Sequence, residues 1–174
     1  EAARRLGAEL VFATDRCHRL DDPWRDGAIP VRFQNDAEAA FLEALGEAAR
    51  HRPLHGVLAV GDRPAVFAAL ACEALGLPGH PPAAARASGN KLETRRRFAA
   101  AGLPGPAFCE VMLDSALDAV RPGFEFPCVV KPLALSGSRG VIRADDQETL
   151  QAALERVRRL LSRADIRGRR HPSD

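Results

Sequence analysis

Short apolar runs alternate with helical stripes along the first half of the chain. A helix is predicted over residues 35–50, because Phe41, Leu45 and Ala48 recur at helical spacing on one face. The continuous apolar run at 56–60 is typical of a strand buried on both faces. Strands are also predicted at 9–14 and 28–33, and a helix over 62–75. Because strands alternate with helices, we expect a parallel, doubly wound α/β sheet in this half.

The second half has a different order of elements, set off by prolines and glycines between residues 77 and 89. We place a domain boundary there, with domains at 1–87 and 88–174, the second an α+β lobe. Asn90 is expected to cap a helix over 90–101, and Asp146 a final helix. The apolar stripe of the final helix is Leu150, Leu154, Val157 and Leu161. The remaining elements are predicted as a strand at 108–112, a short helix near Asp114, and a hairpin-like pair of strands, one ending at Lys131 and one at 140–144.

Composition and charge exclude several classes of function. The chain is 46% apolar with a net charge of +2, which suits a packed core and gives no strong attraction to nucleic acid or membrane surfaces. No apolar run reaches the roughly 18 residues that a membrane span needs. We therefore expect neither nucleic acid nor membrane as a partner. Four widely spaced cysteines, Cys17, Cys72, Cys109 and Cys128, indicate free and mostly buried thiols in a reducing cytoplasm.

Lysine is rare in this chain, which makes its positions informative. Two lysines, Lys91 and Lys131, stand against twenty-three arginines. Lys91 begins a predicted helix, where the positive end of the helix dipole also favours phosphate. Lys131 ends a predicted strand. A compact ammonium group on a flexible stem suits phosphate binding, so both lysines are candidate phosphate ligands.

A run of small residues follows Lys131 and connects two predicted strands. Its members are Ser136, Gly137, Ser138, Arg139 and Gly140. Small residues let a backbone approach a ligand closely, and successive N–H groups can form a concavity that binds anions. The run matches neither the Walker A pattern nor G-x-G-x-x-G, and it precedes a strand, not a helix. Taken alone, it is equally typical of a flexible hairpin tip.

The order of these motifs is more specific than any one of them. Asn90-Lys91, a helix, AGLPGP at 101–106, FPCVVKP at 126–132 and SGSRGV at 136–141 follow one another. This order resembles the ATP-grasp superfamily over residues 56–161, with the preceding residues compatible with the domain that precedes the ATP-grasp fold. The family's pattern has a lysine at the start of the helix before "aGlPvP", a second in "fPvvvKP", and a small-residue lid.

The resemblance implies binding of ATP with Mg²⁺ between two α+β subdomains. The reaction it implies is ligation of a small-molecule carboxylate to an amine through an acyl phosphate. Position by position, Lys91 and Lys131 would contact the phosphates, and Ser136, Gly137, Ser138, Arg139 and Gly140 would form the lid. Whether Arg139 points to solvent or to the γ-phosphate is left open.

The departures from the family pattern bear on activity. The adenine-contacting hinge and the acidic and asparagine ligands of Mg²⁺ have no counterpart in this sequence, so no metal ligand or catalytic residue is assigned. The first strand and glycine loop of the preceding domain are also missing. We therefore interpret the chain as a fragment, an N-terminal domain lacking its first strand plus one truncated ATP-grasp lobe, and expect negligible ligase activity from it alone.

Two loops that follow predicted strands are candidates for substrate binding. Carboxyl ends of parallel strands are where such sheets bind ligands. Arg16 after the first strand or Arg63 after the third could hold a carboxylate substrate, and Asp62 beside Arg63 is a further candidate substrate residue. The simpler interpretation is that Asp62 caps the following helix and that Arg63 is solvated.

Two other classes of function remain open from the sequence. The first is a nucleotide-binding module without catalysis, which would use the same residues. The second is a Rossmann-type domain for NAD or a sugar nucleotide, which predicts no role for Lys91. ATP but not NAD should stabilise the chain against heat if the ATP-grasp interpretation is right.

Overall fold

A computed structural model describes residues 2–15, 28–33, 35–114 and 116–167. The chain forms two compact units, which divide between Arg86 and Ala87. Mixed helices and small sheets make up both units, as the predicted α/β class requires. No helix within the described ranges is long and apolar enough to cross a membrane.

The first unit contains a small parallel sheet and a set of helices. Strands β1 and β2 run parallel, with Ala13 beside Ile29 and Thr14 beside Pro30. This pairing confirms the parallel arrangement predicted for the first two strands. The elements in chain order are α1 (Ala2–Arg5), β1 (Ala13–Thr14), β2 (Ile29–Pro30), a 3₁₀ turn (Asn35–Ala37), α2 (Glu38–His51), α3 (Asp62–Leu75) and α4 (Pro82–Ser88).

The core of the first unit lies where α2 and α3 meet. Phe41 and Leu45 of α2 are buried, as the helical stripe predicted, and they pack with Phe67 of α3. Phe67 makes edge-to-face contacts with Phe33 and Phe41, with ring centroids 5.3 and 5.2 Å apart. Such pairs stabilise a core beyond the apolar area that they bury.

The strand predicted at 56–60 is wrong. Residues 53–60 have no regular secondary structure, and Leu58 and Val60 are 91% and 86% exposed. Burial on both faces needs a packed layer on each side. In the described part of this unit, the core packs against Leu54 and Val57 only on one side, and Leu58 and Val60 remain in solvent.

The second unit pairs a β-hairpin with one long helix. Strands β3 and β4 are antiparallel, with Cys128 beside Ala144 and Val130 beside Ile142, which confirms the predicted pair. The elements are α5 (Lys91–Ala100), a 3₁₀ turn (Leu117–Ala119), β3 (Cys128–Val130), β4 (Ile142–Ala144), α6 (Gln147–Ser162) and α7 (Ala164–Arg167).

Helix α6 follows its predicted pattern. The buried residues include Leu150, Leu154, Val157 and Leu161. Asp146 caps the helix by accepting from the Thr149 backbone N–H, and the Thr149 hydroxyl accepts in return from the Asp146 N–H. This reciprocal arrangement fixes where α6 begins, and the Asp146 cap is confirmed.

Three smaller predictions in this unit were wrong. Residues 103–112 form no strand, and Phe108 and Met112 are 42% and 62% exposed, although Val111 packs on the core. The short helix expected near Asp114 is instead the 3₁₀ turn. Cys109 is exposed, whereas Cys72 is buried and Cys128 half-buried. Short apolar stretches carry too little periodic signal to fix whether they pair. Cys17 lies outside the described residues.

Candidate functional site

The β3–β4 hairpin presents two chemically different faces. Cys128 and Val130 pack on the core with the fully buried Ala144. Val129 lies beside Arg143 in the register, and both are exposed. Lys131 and Val141 continue the same alternation and are exposed as well. We call these four residues the hairpin platform, an apolar surface that carries two cations.

Lys91 lies at the start of α5, where local hydrogen bonds fix the helix end. The Asn90 side chain accepts from the backbone N–H groups of Leu92 and Glu93, at 3.0 and 3.2 Å, as predicted for a cap. These bonds satisfy N–H groups that have no partner within the helix, and they stabilise the first turn of α5. The backbone N–H of Lys91 donates to the Leu133 carbonyl at 3.1 Å.

The Lys91 side chain contacts the same stretch of backbone. Its Nζ donates to the carbonyl oxygens of Leu133 and Leu135, at 3.2 and 2.7 Å. Residues 133–135 link Lys131 to the run of small residues. The structure therefore brings Lys91 against the short segment that joins the other two parts of the predicted phosphate site.

The Ser/Gly loop (residues 136–140) is tightly turned. Gly137, Ser138 and Gly140 all have positive φ angles, of 64°, 56° and 74°. Two internal bonds close the turns, from the Arg139 N–H to the Ser136 carbonyl and from the Val141 N–H to the Ser138 carbonyl. Consecutive left-handed residues expose backbone N–H groups in a way that extended strands do not.

Side chains in the loop are oriented to solvent. Ser136, Ser138 and Arg139 are exposed. The Arg139 Nε donates to the Ser136 carbonyl at 3.3 Å, so its guanidinium folds back over the loop that carries it. The hydroxyls of the two serines and the Arg139 guanidinium are all available to a ligand at the loop surface. Their assignment to the lid stays a prediction.

The predicted substrate residues lie in the first unit. Asp62 and Arg63 are exposed in the first turn of α3. Gly61 holds the capping position and Asp62 makes no side-chain cap bond, so the simple capping interpretation of Asp62 is wrong. Its carboxylate still complements the positive end of the helix dipole. Arg16 lies outside the described residues, and the substrate role of all three stays a prediction.

A cleft of about 330 Å³ opens at the carboxyl ends of β1 and β2. Asp15 and Arg32, which follow the two strands, line it together with Phe41 from α2. Neither Asp15 nor Arg32 was singled out from the sequence. The available signal was their position directly after a strand, where parallel sheets place ligand-binding residues.

Other residues of the second unit were also missed. The alternation around Lys131 puts Val129 on the same face of its strand, but only the register with the partner strand adds Val141 and Arg143 and shows that this face is exposed. The carbonyls of Leu133 and Leu135 left no signal, because a backbone group is the same in every residue. Among the described residues, no three His, Cys, Asp or Glu side chains lie close enough to hold a metal ion.

Comparison with families and curated proteins points to one group of enzymes. The family described as the ATP-grasp N-terminal domain matches residues 1–79. A D-alanine–D-alanine ligase of Neisseria meningitidis serogroup C is 33% identical over 121 residues, covering 68% of this chain and 38% of the ligase. The D-alanine–D-alanine ligase of Methylococcus capsulatus is 33% identical over 97 residues, covering 56% of this chain and 31% of the ligase.

A solved structure gives the same result for the fold. The crystal structure of L-amino acid ligase from Bacillus licheniformis superposes with a TM-score of 0.65 and 29% sequence identity. The match covers 89% of this chain and 37% of the ligase. The chain therefore spans well under half the length of the relatives that it matches. The family match and the likenesses to these ligases together show that the chain belongs to the ATP-grasp superfamily.

Proposed function

We propose that this chain supplies phosphate-binding residues to an ATP-dependent ligase that joins a carboxylate to an amine. The observation that carries the proposal is the contact of Lys91 with the segment between Lys131 and the Ser/Gly loop. That contact places the Lys91 ammonium on the backbone segment that joins Lys131 to the turned backbone of the loop. A triphosphate needs such a combination of positive charge and close backbone approach.

The hairpin platform fits the other end of the nucleotide. Val129 and Val141 are 54% and 46% exposed, which is unusual for valines in a hairpin that buries its opposite face. A flat apolar surface of this kind suits the face of a purine ring. Lys131 lies on the same face, so a base on the valines would direct its phosphates toward the lysine and the loop.

The reaction class follows from what ATP supplies. Attack of a carboxylate oxygen on the γ-phosphorus releases ADP and gives an acyl phosphate, whose carbonyl carbon an amine then attacks with loss of phosphate. The relatives are named for D-alanine and for L-amino acids. We propose amino acids or small peptides as the substrate class, with Arg16 or Arg63 as candidate contacts for the carboxylate and Asp62 as a further candidate substrate contact.

Metal binding is not assigned to this chain. ATP in this superfamily is used with Mg²⁺, which prefers several oxygen ligands. The residues that the structure describes contain no group of three potential ligands. We expect negligible turnover of ATP by the purified chain. Steady phosphate release dependent on added amino acids would contradict this.

Binding of ATP to the chain tests the proposal directly. We expect Lys131→Met to weaken ATP binding by roughly 10- to 100-fold, because hydrogen bonds to charged groups contribute about 1.5–3 kcal/mol. Isothermal titration calorimetry measures the change. Arg156→Met, an exposed cation on α6, is the matched control and should bind like the original chain.

A thermal melt separates ATP from the Rossmann-type alternative. ATP at a concentration well above its Kd should raise the melting temperature, whereas NAD and a sugar nucleotide should leave it unchanged. Stabilisation by NAD that survives Lys131→Met would contradict the ATP-grasp site. Equal binding of ATP by the Lys131→Met and Arg156→Met variants would also reject the phosphate role of Lys131.

A further inference from the structure

We propose that Lys91 is a positioning residue for the Ser/Gly loop, holding residues 133–135 so that the loop is arranged before nucleotide arrives. The inference rests on the proposed function for the identity of the ligand. The hydrogen bonds that support it are present in the chain alone. Lys91 and Lys131 then have different tasks, although both were predicted from the sequence as phosphate ligands.

Lys91 holds residues 133–135 by hydrogen bonds, and we call these bonds the Lys91 bracket. One residue makes three hydrogen bonds to two carbonyls: its backbone N–H and its Nζ both reach Leu133, and its Nζ also reaches Leu135. A single ammonium nitrogen lies within 3.2 Å of both oxygens. The first turn of α5 is thereby fixed to the backbone that leads into the loop.

Side chains of the same segment are held by packing in the core of the second unit. Leu135 is 6% exposed and packs with Val157, Leu161 and Ile166. Pro132 is also buried. Residues 132–135 have no regular secondary structure, so strand pairing does not satisfy these carbonyls. Backbone carbonyls that are partly buried need donors, and the Lys91 ammonium provides them.

The chemistry at this position favours lysine in a chain that otherwise uses arginine. Two acceptors converge on one nitrogen, which suits a compact ammonium with several donors. A guanidinium distributes its donors over a planar fork and matches carboxylate or phosphate oxygens better than two converging carbonyls. Lys131 differs because its side chain is exposed on the hairpin platform.

A loop held in its binding conformation improves affinity without adding a contact. If only a fraction of molecules has the loop arranged, the apparent Kd rises by the inverse of that fraction. Loss of the bracket should therefore weaken ATP binding to the extent that it lowers the fraction of molecules with an arranged loop. A residue that only touches phosphate would weaken binding and leave the empty loop unchanged.

Hydrogen exchange on the full chain without nucleotide tests the bracket. Lys91→Met keeps the length of the side chain and removes its donors. We expect exchange of the Arg139 and Val141 amides, whose hydrogen bonds close the loop, to accelerate about tenfold or more, because the charged hydrogen bonds that hold residues 133–135 have been lost. Lys131→Met is the matched control and should leave exchange in the loop unchanged, and α6 should stay protected in both variants.

ATP titration of the same variants completes the test. We expect the Kd of Lys91→Met to rise by the inverse of the fraction of molecules whose loop stays arranged, and the protection that remains in loop exchange measures that fraction. Unchanged loop exchange would overturn the positioning role, as would complete loss of loop protection with unchanged ATP affinity. Failure of the proposed function is a different result, in which the unaltered chain binds no ATP while loop exchange still reports on the bracket.

A measurement on the unaltered chain covers the case in which Lys91→Met does not fold. With ¹⁵N-lysine labelling, two lysines give two side-chain signals, and Lys131→Met assigns them. Hydrogen bonding to two carbonyls should slow proton exchange of the Lys91 ammonium without nucleotide, while the exposed Lys131 ammonium exchanges rapidly. Equally rapid exchange of both groups would overturn the bracket.

Discussion

At the scale of single residues, Gly140 is required for two independent reasons. Its φ of 74° lies in the left-handed region that side chains disfavour. A Cβ there would also lie 2.8 Å from Leu160 Cδ2 and 2.9 Å from Pro132 Cγ. The end of the Ser/Gly loop therefore packs closely against Leu160 of α6 and against Pro132. By contrast, Gly137 shares the positive φ but has open space around it.

This difference gives a paired prediction for Gly140→Ala and Gly137→Ala. Backbone strain alone should lower the free energy of unfolding by about 1 kcal/mol at position 137. At position 140 the steric overlap adds to the strain, and we expect a loss of roughly 2–4 kcal/mol. Urea denaturation measures both, and equal losses would show that the contact with Leu160 and Pro132 does not constrain the loop.

Residue chemistry decided how much of the site could be read from sequence. Lys91, Lys131 and the loop were found because charge and small size leave a signal in residue type. The hydrogen-bond acceptors of Lys91 were not predicted, because Leu133 and Leu135 accept through their backbone carbonyls. The platform residue Val129 was missed for another reason: an exposed valine looks like a buried one until the partner strand shows which face is covered.

At the scale of elements, long periodic patterns predicted well and short runs did not. The helices over 38–51, 91–100 and 147–162 follow stripes or caps visible in sequence. The runs at 56–60 and 108–112 were predicted as strands and form none. A strand exists only where a neighbour completes its hydrogen bonds, and that neighbour is remote in sequence. The parallel pairing of β1 and β2 spans only two residues on each strand.

Contacts between elements add a pH dependence to the first unit. Glu38 at the start of α2 accepts two hydrogen bonds from the Arg86 guanidinium in α4, at 2.5 and 2.6 Å. The hydrogen bonds from Arg86 lower the pKa of Glu38 below its usual value of 4.5. A carboxylate with a lowered pKa stabilises the folded state at neutral pH. That contribution is lost as pH falls through the folded-state pKa.

Glu38→Gln should therefore destabilise the chain at pH 7 and have progressively less effect in acid. The difference in free energy of unfolding between the original chain and the variant should shrink below the usual carboxyl pKa. Since the pair is partly exposed, we expect a modest effect that added salt reduces. Glu43→Gln, an exposed change in the same helix, is the control. A Glu38→Gln effect that is constant with pH would contradict the ion pair.

At the scale of the whole molecule, apolar residues are covered unevenly. In the first unit the core packs against Leu54 and Val57, while Leu58 and Val60 are almost fully exposed. The original sequence pattern predicted burial of the entire run at 56–60. If the whole run were buried, a charged side chain would destabilise the fold at position 58 as much as at position 57. If Leu58 is exposed, only the change at position 57 should destabilise it.

Lysine substitution at these two positions separates the interpretations. Leu58→Lys should change the free energy of unfolding by no more than about 0.5 kcal/mol, because a 91% exposed side chain loses no packing. Val57→Lys should destabilise by several times as much, since that residue packs against the core and an unpaired ammonium is poorly tolerated there. If Leu58→Lys is as damaging as Val57→Lys, position 58 is covered in solution and the buried strand of the sequence prediction is restored.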